Sequence, residues 1–277
     1  MSTQPQFSFE FYPPKTEEGA FSLQAVQQQL ITRAPEFFSV TFGAGGSTRD
    51  KTFDTVVSIQ KQGIAAAPHL SCVASTKASI AEILNAYQQA GVSRIVALRG
   101  DLPSGMMSAG EFRYANELVA FIRQQTGDYF DIHVAAYPEI HPQAANAHED
   151  FKNFKRKVDA GANGVMTQYF YNAEAFFYFR DQCHKHGMTV PIAAGIMPIT
   201  NYAQLFRFSD MCGADIPRWL RKRLECLGDD KEAVQALGLE VVTQLCQRLL
   251  DGGVEHFHFY TMNQAAPTLA IINNLKI

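Results

Sequence analysis

The chain has 277 residues, with 24 basic side chains against 27 acidic ones and a formal charge of −3. Apolar residues make up 47% and charged residues 18%, a balance that calls for a large buried core and excludes a disordered chain. The near-neutral balance excludes the basic stripe of a nucleic-acid partner, and no stretch approaches the roughly 18 apolar residues of a membrane span.

The opening MSTQPQFSFEF has no basic segment ahead of an apolar one, so no secretory leader is expected. Five scattered cysteines without a Cys-x-x-Cys pair fit a reducing cytoplasm better than a disulfide scaffold or zinc finger. Phe7–Phe11 is the first predicted strand, and alternation puts its phenylalanines on one face and Ser8, Glu10 and Tyr12 on the other. In a sheet covered on both faces that carboxyl is partly buried. An apolar setting raises its pKa towards neutrality, which suits a general acid; an ordinary ion pair is the plainer alternative. A second strand, Phe37–Phe42, runs into Gly43-Ala44-Gly45-Gly46-Ser47-Thr48. That loop lacks the lysine and spacing of a Walker loop, and Thr48 replaces the third glycine of the dinucleotide fingerprint, so Ser47-Thr48 reads as a helix cap.

Ala65–Ser71 is the third strand and carries His69, which taken alone reads as a core histidine. Ser75-Thr76 caps the next helix. Arg94–Leu98 leads into Arg99-Gly100-Asp101-Leu102-Pro103, where an acidic side chain follows a strand end and Gly100 would let the backbone approach a ligand closely. After the strand Asp131–Tyr137, a predicted helix presents Asp150, Asn153 and Lys157 on one face with Arg156 beside them. Such a set can hold a ribose or a diphosphate, and a solvated basic helix end is the equal alternative. Gly164–Phe170 and Val190–Ile196 are the sixth and seventh strands. The stretch 201–228 is longer than one connection needs and is predicted to hold an extra helix, with Pro217 at a break. A helix over Lys231–Leu250, with Val234, Leu237, Val241, Leu245 and Leu249 in phase, stops at Asp251-Gly252-Gly253. In the last strand, Val254–Tyr260, His256, His258 and Tyr260 share one face; a metal pair joined by His69 is conceivable, but barrel-interior histidines are the better reading.

Eight apolar-dense strands alternating with helices predict an α/β fold: a single (β/α)8 TIM-type barrel, residues 1–277, with an extra helical segment between strands 7 and 8. An open doubly wound sheet is the runner-up. In the barrel, Glu10, Thr41, His69, Arg99, Asp101, Tyr137, Gln168 and Tyr260 fall at strand ends and converge on one rim, where barrel chemistry sits.

Several motifs recur in one order: Phe9-Glu10-Phe11-Tyr12-Pro13-Pro14-Lys15, Val40-Thr41-Phe42-Gly43-Ala44-Gly45-Gly46, Ala67-Pro68-His69-Leu70 and Ala97-Leu98-Arg99-Gly100-Asp101-Leu102-Pro103. Ala136-Tyr137-Pro138-Glu139-Ile140-His141-Pro142, Lys157-Val158-Asp159-Ala160-Gly161-Ala162, Thr167-Gln168-Tyr169-Phe170, Gly195-Ile196-Met197-Pro198 and Phe257-His258-Phe259-Tyr260-Thr261 complete them. Together they span essentially the whole chain and resemble the methylenetetrahydrofolate reductase family in its compact bacterial form.

The resemblance implies an FAD enzyme that reduces 5,10-methylenetetrahydrofolate to 5-methyltetrahydrofolate, with NADH as the expected donor and NADPH as the alternative. In such enzymes pyridine nucleotide and folate use one flavin face in turn, a ping-pong scheme. It implies Glu10 as general acid and Asp101 as the carboxylate that stabilises the cationic intermediate. It implies a flavin shell of Thr41, Phe42, Ala44, His69, Arg99, Gly100, Asp101, Tyr114, Ala115, Tyr137, His141, Ala144, Asp150, Asn153, Arg156 and Lys157. Asp101, Gln168, Gln204, Phe208 and Gln264 are the folate contacts it implies, and no metal. Gln264 departs from the bacterial pattern, which carries an arginine there, and so loses a charge-assisted contact to the folate glutamate tail. A homo-oligomer without nucleic-acid or membrane partners is expected. The alternatives are a metal-dependent barrel hydrolase using His69, His256 and His258, and a flavoprotein paralogue reduced by a partner subunit.

Overall fold

Eight strands pair in chain order and the eighth closes on the first: β1 (Gln6–Phe11), β2 (Phe37–Val40), β3 (Ala66–Ser71), β4 (Arg94–Leu98), β5 (Asp131–Ala136), β6 (Gly164–Thr167), β7 (Ile192–Ile196) and β8 (His256–Tyr260). Every pairing is parallel, with Glu10 opposite Ser39 on one side and opposite Tyr260 on the other. The structure is a computed structural model that describes residues 4–42, 49–101 and 110–277. Ala44, the helix start at Ser47-Thr48, and Leu102 and Pro103 lie outside the described residues. Closure of the sheet removes the open doubly wound alternative.

The connecting helices are α1 (Glu17–Ile31), α2 (Arg49–Lys61), α3 (Lys77–Gln89), α4 (Ala115–Thr126), α5 (Ala147–Asp159), α6 (Ala173–Lys185), α7 (Tyr202–Cys212), α8 (Arg218–Leu227), α9 (Lys231–Asp251) and α10 (Ala265–Asn273). The expected extra helical segment is α7 and α8, with Pro217 just ahead of α8 where its fixed φ opens the helix. Thr76 caps α3 as its sequence predicts: its hydroxyl accepts from the Ser79 amide while the Ser79 hydroxyl accepts from the Thr76 amide. Among the described residues no helix is long and apolar enough to cross a membrane.

The strand periodicity divides two layers. Phe7, Phe9 and Phe11 point outward under the helices, where Phe9 meets Phe38 and Phe259 at ring distances of 5.9 and 6.0 Å. Each such ring contributes roughly 1.5–3 kcal/mol through burial. The alternate residues fill the barrel in tiers. At the N-terminal mouth, Arg94 bridges Glu36 and Asp131 at 2.8 Å each, with His133 and His256 against the same two carboxylates. Above that floor lies a small apolar tier of Phe37, Ala67, Val96 and Met166. The Phe37 ring rests on the Arg94 guanidinium at 4.4 Å and stacks against His258 at 6.0 Å on its other side. Gly164 makes room for His133, whose ring would stand 2.7 Å from any Cβ there. The third tier, at the C-terminal ends, is polar.

Candidate active site

Glu10, inward on β1, faces His69 from β3 and His258 from β8, at 3.3 and 3.6 Å from their Nε2 atoms. His258 is wholly buried, and its Nδ1 shares a 2.7 Å hydrogen bond with Ser8 two residues before Glu10. Strand alternation therefore delivers the expected carboxyl into the barrel, but not with the expected ionisation. Burial alone would raise its pKa; the two imidazoles, His69 foremost, outweigh burial and hold the carboxyl down at about 2. The expectation of a carboxyl pKa raised towards neutrality is corrected on that ground. Burial in turn pushes His258 below the usual imidazole range. The three groups form one cluster around Glu10, the member that opens upward.

Above Glu10 is a cavity of about 330 Å³ whose lining includes Asp101, Tyr137, Gln168, Phe208 and Tyr260. The residues come from the ends of different strands and from α7, as the barrel rule predicts. Tyr260 donates its hydroxyl to the Thr167 carbonyl at 2.8 Å, and Gly195 lets the ring lie there, since a Cβ would stand 3.0 Å from it. Gln168 still pairs through its amide with the Ala136 carbonyl at 2.7 Å, although β6 itself ends one residue earlier. Burial pushes the Tyr137 phenol up to about 12, so it meets the cavity as a neutral donor. Met197, Met211 and Cys212 add a sulfur-rich wall that no sequence pattern marked.

Beside this cavity, along the ends of β3 to β5, lies a cationic wall. Arg99 donates to Gln143 at 2.6 Å, Arg156 to Asn153 at 2.7 Å, and Lys157 to the Ala135 carbonyl at 2.5 Å. None of the three makes a salt bridge among the described residues. Lys157 is half-buried, and desolvation brings its ammonium down to about 8. Asp150 accepts from the His141 amide at 2.8 Å and so fixes the loop after β5, where His141 packs on Tyr137 at 4.5 Å. Thr41 and Phe42 follow β2, and the Thr41 carbonyl is anchored by the Thr52 hydroxyl. Ala144 is tied to the His141 carbonyl, while Tyr114 and Ala115 stand at the start of α4. Gly100 has φ +82°, but the close approach it allows is to β3: a Cβ would lie 1.8 Å from Ser71 Oγ.

Two of the expected folate contacts stand apart. Gln204 occupies the first turn of α7, its amide held by the Asn201 cap, and does not line the cavity. Gln264 lines a different cavity, of about 500 Å³, with Thr200, Glu232 and Pro267. The metal alternative also fails on geometry. His69 and His258 meet at Glu10, whereas His256 lies at the opposite mouth, 3.7 Å from Glu36. No group of three or more His, Cys, Asp or Glu suited to a metal occurs among the described residues. What the sequence reading missed is the turn after β8, where Asn263 hydrogen bonds both backbone groups of Tyr12.

A family model described as methylenetetrahydrofolate reductase matches residues 1–276. The 5,10-methylenetetrahydrofolate reductase of Escherichia coli (strain K12) is 41% identical over 271 residues, covering 98% of this chain and 90% of that protein. That of Buchnera aphidicola subsp. Schizaphis graminum is 42% identical over 261 residues, covering 94% and 88%. A probable methylenetetrahydrofolate reductase (NADH) of Oryza sativa subsp. japonica is 38% identical over 285 residues, which is 98% of this chain and 48% of the rice protein. Among solved structures, a Clostridium thermocellum protein that binds two copies of 5-methyl-5,6,7,8-tetrahydrofolic acid shares the fold. Its TM-score is 0.69 at 15% identity, over 98% of this chain and 94% of that one.

Proposed function

The chain belongs to the methylenetetrahydrofolate reductase family, and from that premise we propose that it reduces 5,10-methylenetetrahydrofolate with electrons from NADH through bound FAD, in two alternating half-reactions. Residues 1–277 act as one catalytic domain. The cationic wall fits a flavin dinucleotide on its own chemistry. Among the described residues Arg99, Arg156 and Lys157 form no salt bridge, and the half-buried Lys157 ammonium, lowered to about 8, is still charged at neutral pH and suits a diphosphate. Asp150 and Asn153 on the same helix face suit ribose hydroxyls. When bound there, FAD supplies a two-electron carrier between nicotinamide and folate.

The residues of this chain do the rest. Opening the five-membered ring that bridges the folate nitrogens requires a proton on the leaving nitrogen, and Glu10 is the member of its cluster that meets the cavity. The proton it passes on is held jointly with His69 and His258, since the two imidazoles keep the carboxyl too acidic to hold one by itself. Their separations of 3.3 and 3.6 Å leave room to tighten when substrate displaces water. Asp101 stabilises the iminium cation produced by ring opening, Gln168 offers the paired donor and acceptor that a pterin edge needs, and Phe208 stacks over the ligand. Gln204, in the first turn of α7, is a second amide for the pterin, and Gln264 meets the glutamate tail without a charge. The single observation that carries this reading is the Glu10–His69–His258 cluster opening into the cavity that Asp101 and Gln168 share.

Five unpaired cysteines support a reducing, cytoplasmic setting, and the family resemblance supports a homo-oligomer. An anaerobic flavin absorbance trace tests the proposal. NADH is added first and methylenetetrahydrofolate after removal of excess nucleotide; bleaching and then recovery are expected. Glu10→Gln should keep the bleaching and nearly abolish the recovery. Flavin that never bleaches with NADH or NADPH would favour reduction by a partner subunit, and equal loss of both steps in Glu10→Gln would remove the acid role.

A further inference from the structure

The β1–β8 ladder ends at Glu10 opposite Tyr260. Beyond it, the chain after β8 leaves the sheet through Met262 and Asn263, at φ 54° and 55°. Two successive non-glycine residues in the left-handed region cannot continue a strand, and of the two only asparagine tolerates that conformation readily. Yet the pairing to β1 does not stop. Asn263 Oδ1 accepts from the Tyr12 amide at 2.8 Å, and Asn263 Nδ2 donates to the Tyr12 carbonyl at 3.1 Å. A side-chain carboxamide carries the same donor and acceptor as a peptide, so it stands in for the missing strand residue. One step back, the Thr261 hydroxyl donates to the Glu10 carbonyl at 2.6 Å and accepts from the Asn263 amide at 3.2 Å. The Tyr12 phenol closes the same turn on Met262 Sδ at 3.2 Å. The backbone from the Glu10 carbonyl to Tyr12 is thus held by one strained turn, and the turn is held by Asn263.

We propose that Asn263 is a positioning residue for the acid: its carboxamide, with the Thr261 hydroxyl, fixes the end of β1 so that the Glu10 carboxylate meets both the imidazoles and the cavity. The inference rests on Glu10 being the acid of the folate half-reaction. A functional turn that keeps backbone strain next to a reacting group is where such devices concentrate. The turn reaches the site through Glu10, and the nicotinamide half-reaction draws no proton from that carboxyl, so the folate half-reaction is the one that depends on the turn.

Two substitutions separate strain from hydrogen bonding. Asn263→Gly accepts the left-handed backbone without cost but removes both bonds to Tyr12; Asn263→Asp keeps the acceptor for the Tyr12 amide and loses the donor. With FAD-loaded protein, flavin reduction by NADH is expected within about twofold of wild type in both. Flavin reoxidation by methylenetetrahydrofolate is expected to fall about tenfold to a hundredfold in Asn263→Gly, less in Asn263→Asp, with a displaced pH profile for that step alone, since misplacing a reacting group by an ångström has effects of that size. Thr261→Val, nearly isosteric, should give the same selective loss and covers the case of a poorly folding Asn263 variant. Equal slowing of both half-reactions, or an unchanged folate step with a lowered melting temperature, would make the amide purely structural and overturn the inference. Glu10→Gln run alongside tells the two failures apart: if it slows the folate step while Asn263→Gly does not, the acid stands and the positioning role falls.

Discussion

Glu10 on β1 and His69 on β3 face each other at 3.3 Å with β2 between them, so an acid of the first strand is tuned by a base of the third. His69 is the foremost of the groups that draw the Glu10 carboxyl down against burial. In His69→Asn, burial regains weight and the Glu10 pKa rises. Infrared titration referenced to Glu10→Gln should show the protonated carboxyl persisting to higher pH than in wild type, and an unchanged midpoint would remove His69 from the cluster.

Asp101 lines the cavity opposite the acid. Asp101→Asn keeps its shape and removes its charge, so flavin reoxidation by methylenetetrahydrofolate should slow about a hundredfold while reduction by NADH changes far less. Equal effects on the two rates, read by stopped-flow absorbance, would show that the charge does not answer a cation formed in the folate step.

Lys157 has its free-protein pKa lowered to about 8 by burial. A diphosphate binds the charged form, so FAD affinity is full below about pH 8 and falls as pH rises through it. Lys157→Met should weaken FAD binding by roughly 1.5–3 kcal/mol at pH 7 and flatten that pH dependence. Calorimetric titration of the flavin-free protein at pH 7 and pH 9 decides the matter.

At the barrel floor, His256 first and then Arg94 lower the Glu36 carboxyl against burial, and His133 with Arg94 overcome burial to lower Asp131. Depressed carboxyls contribute stability that is present above the ordinary carboxylate range and is lost as pH falls through their folded values. Arg94→Met leaves both acids without their shared cation. Because the acids are about a third exposed, a loss of about 1–3 kcal/mol is expected at pH 7, shrinking as pH falls below about 4. Urea unfolding at both pH values measures it.

The barrel was legible because its strands are apolar on both faces and its stops are regular, and Ser8 and Glu10 were legible because alternation is a local property. The ionisation of Glu10 was not. Its partners arrive from β3 and β8, one of them only because the sheet closes, and no spacing along the chain encodes that. Gln204 and Gln264 sit on helix starts, where a one-turn rotation decides which cavity a side chain joins, and motif position alone could not separate them. The role of Asn263 depends on two left-handed residues in a short turn without glycine, for which the sequence has no marker.

Phe37 is the seam between the two charged ends of the barrel, pressed by a guanidinium from below and an imidazole from above. It works as a gasket. With Ala67, Val96 and Met166 the ring lays an apolar layer between the ion pairs of the floor and the Glu10 cluster, whose carboxylate faces the cavity at the other mouth. Cut the ring back to alanine and that layer loses the side chain separating Arg94 from His258, which opens the floor of the vessel to water.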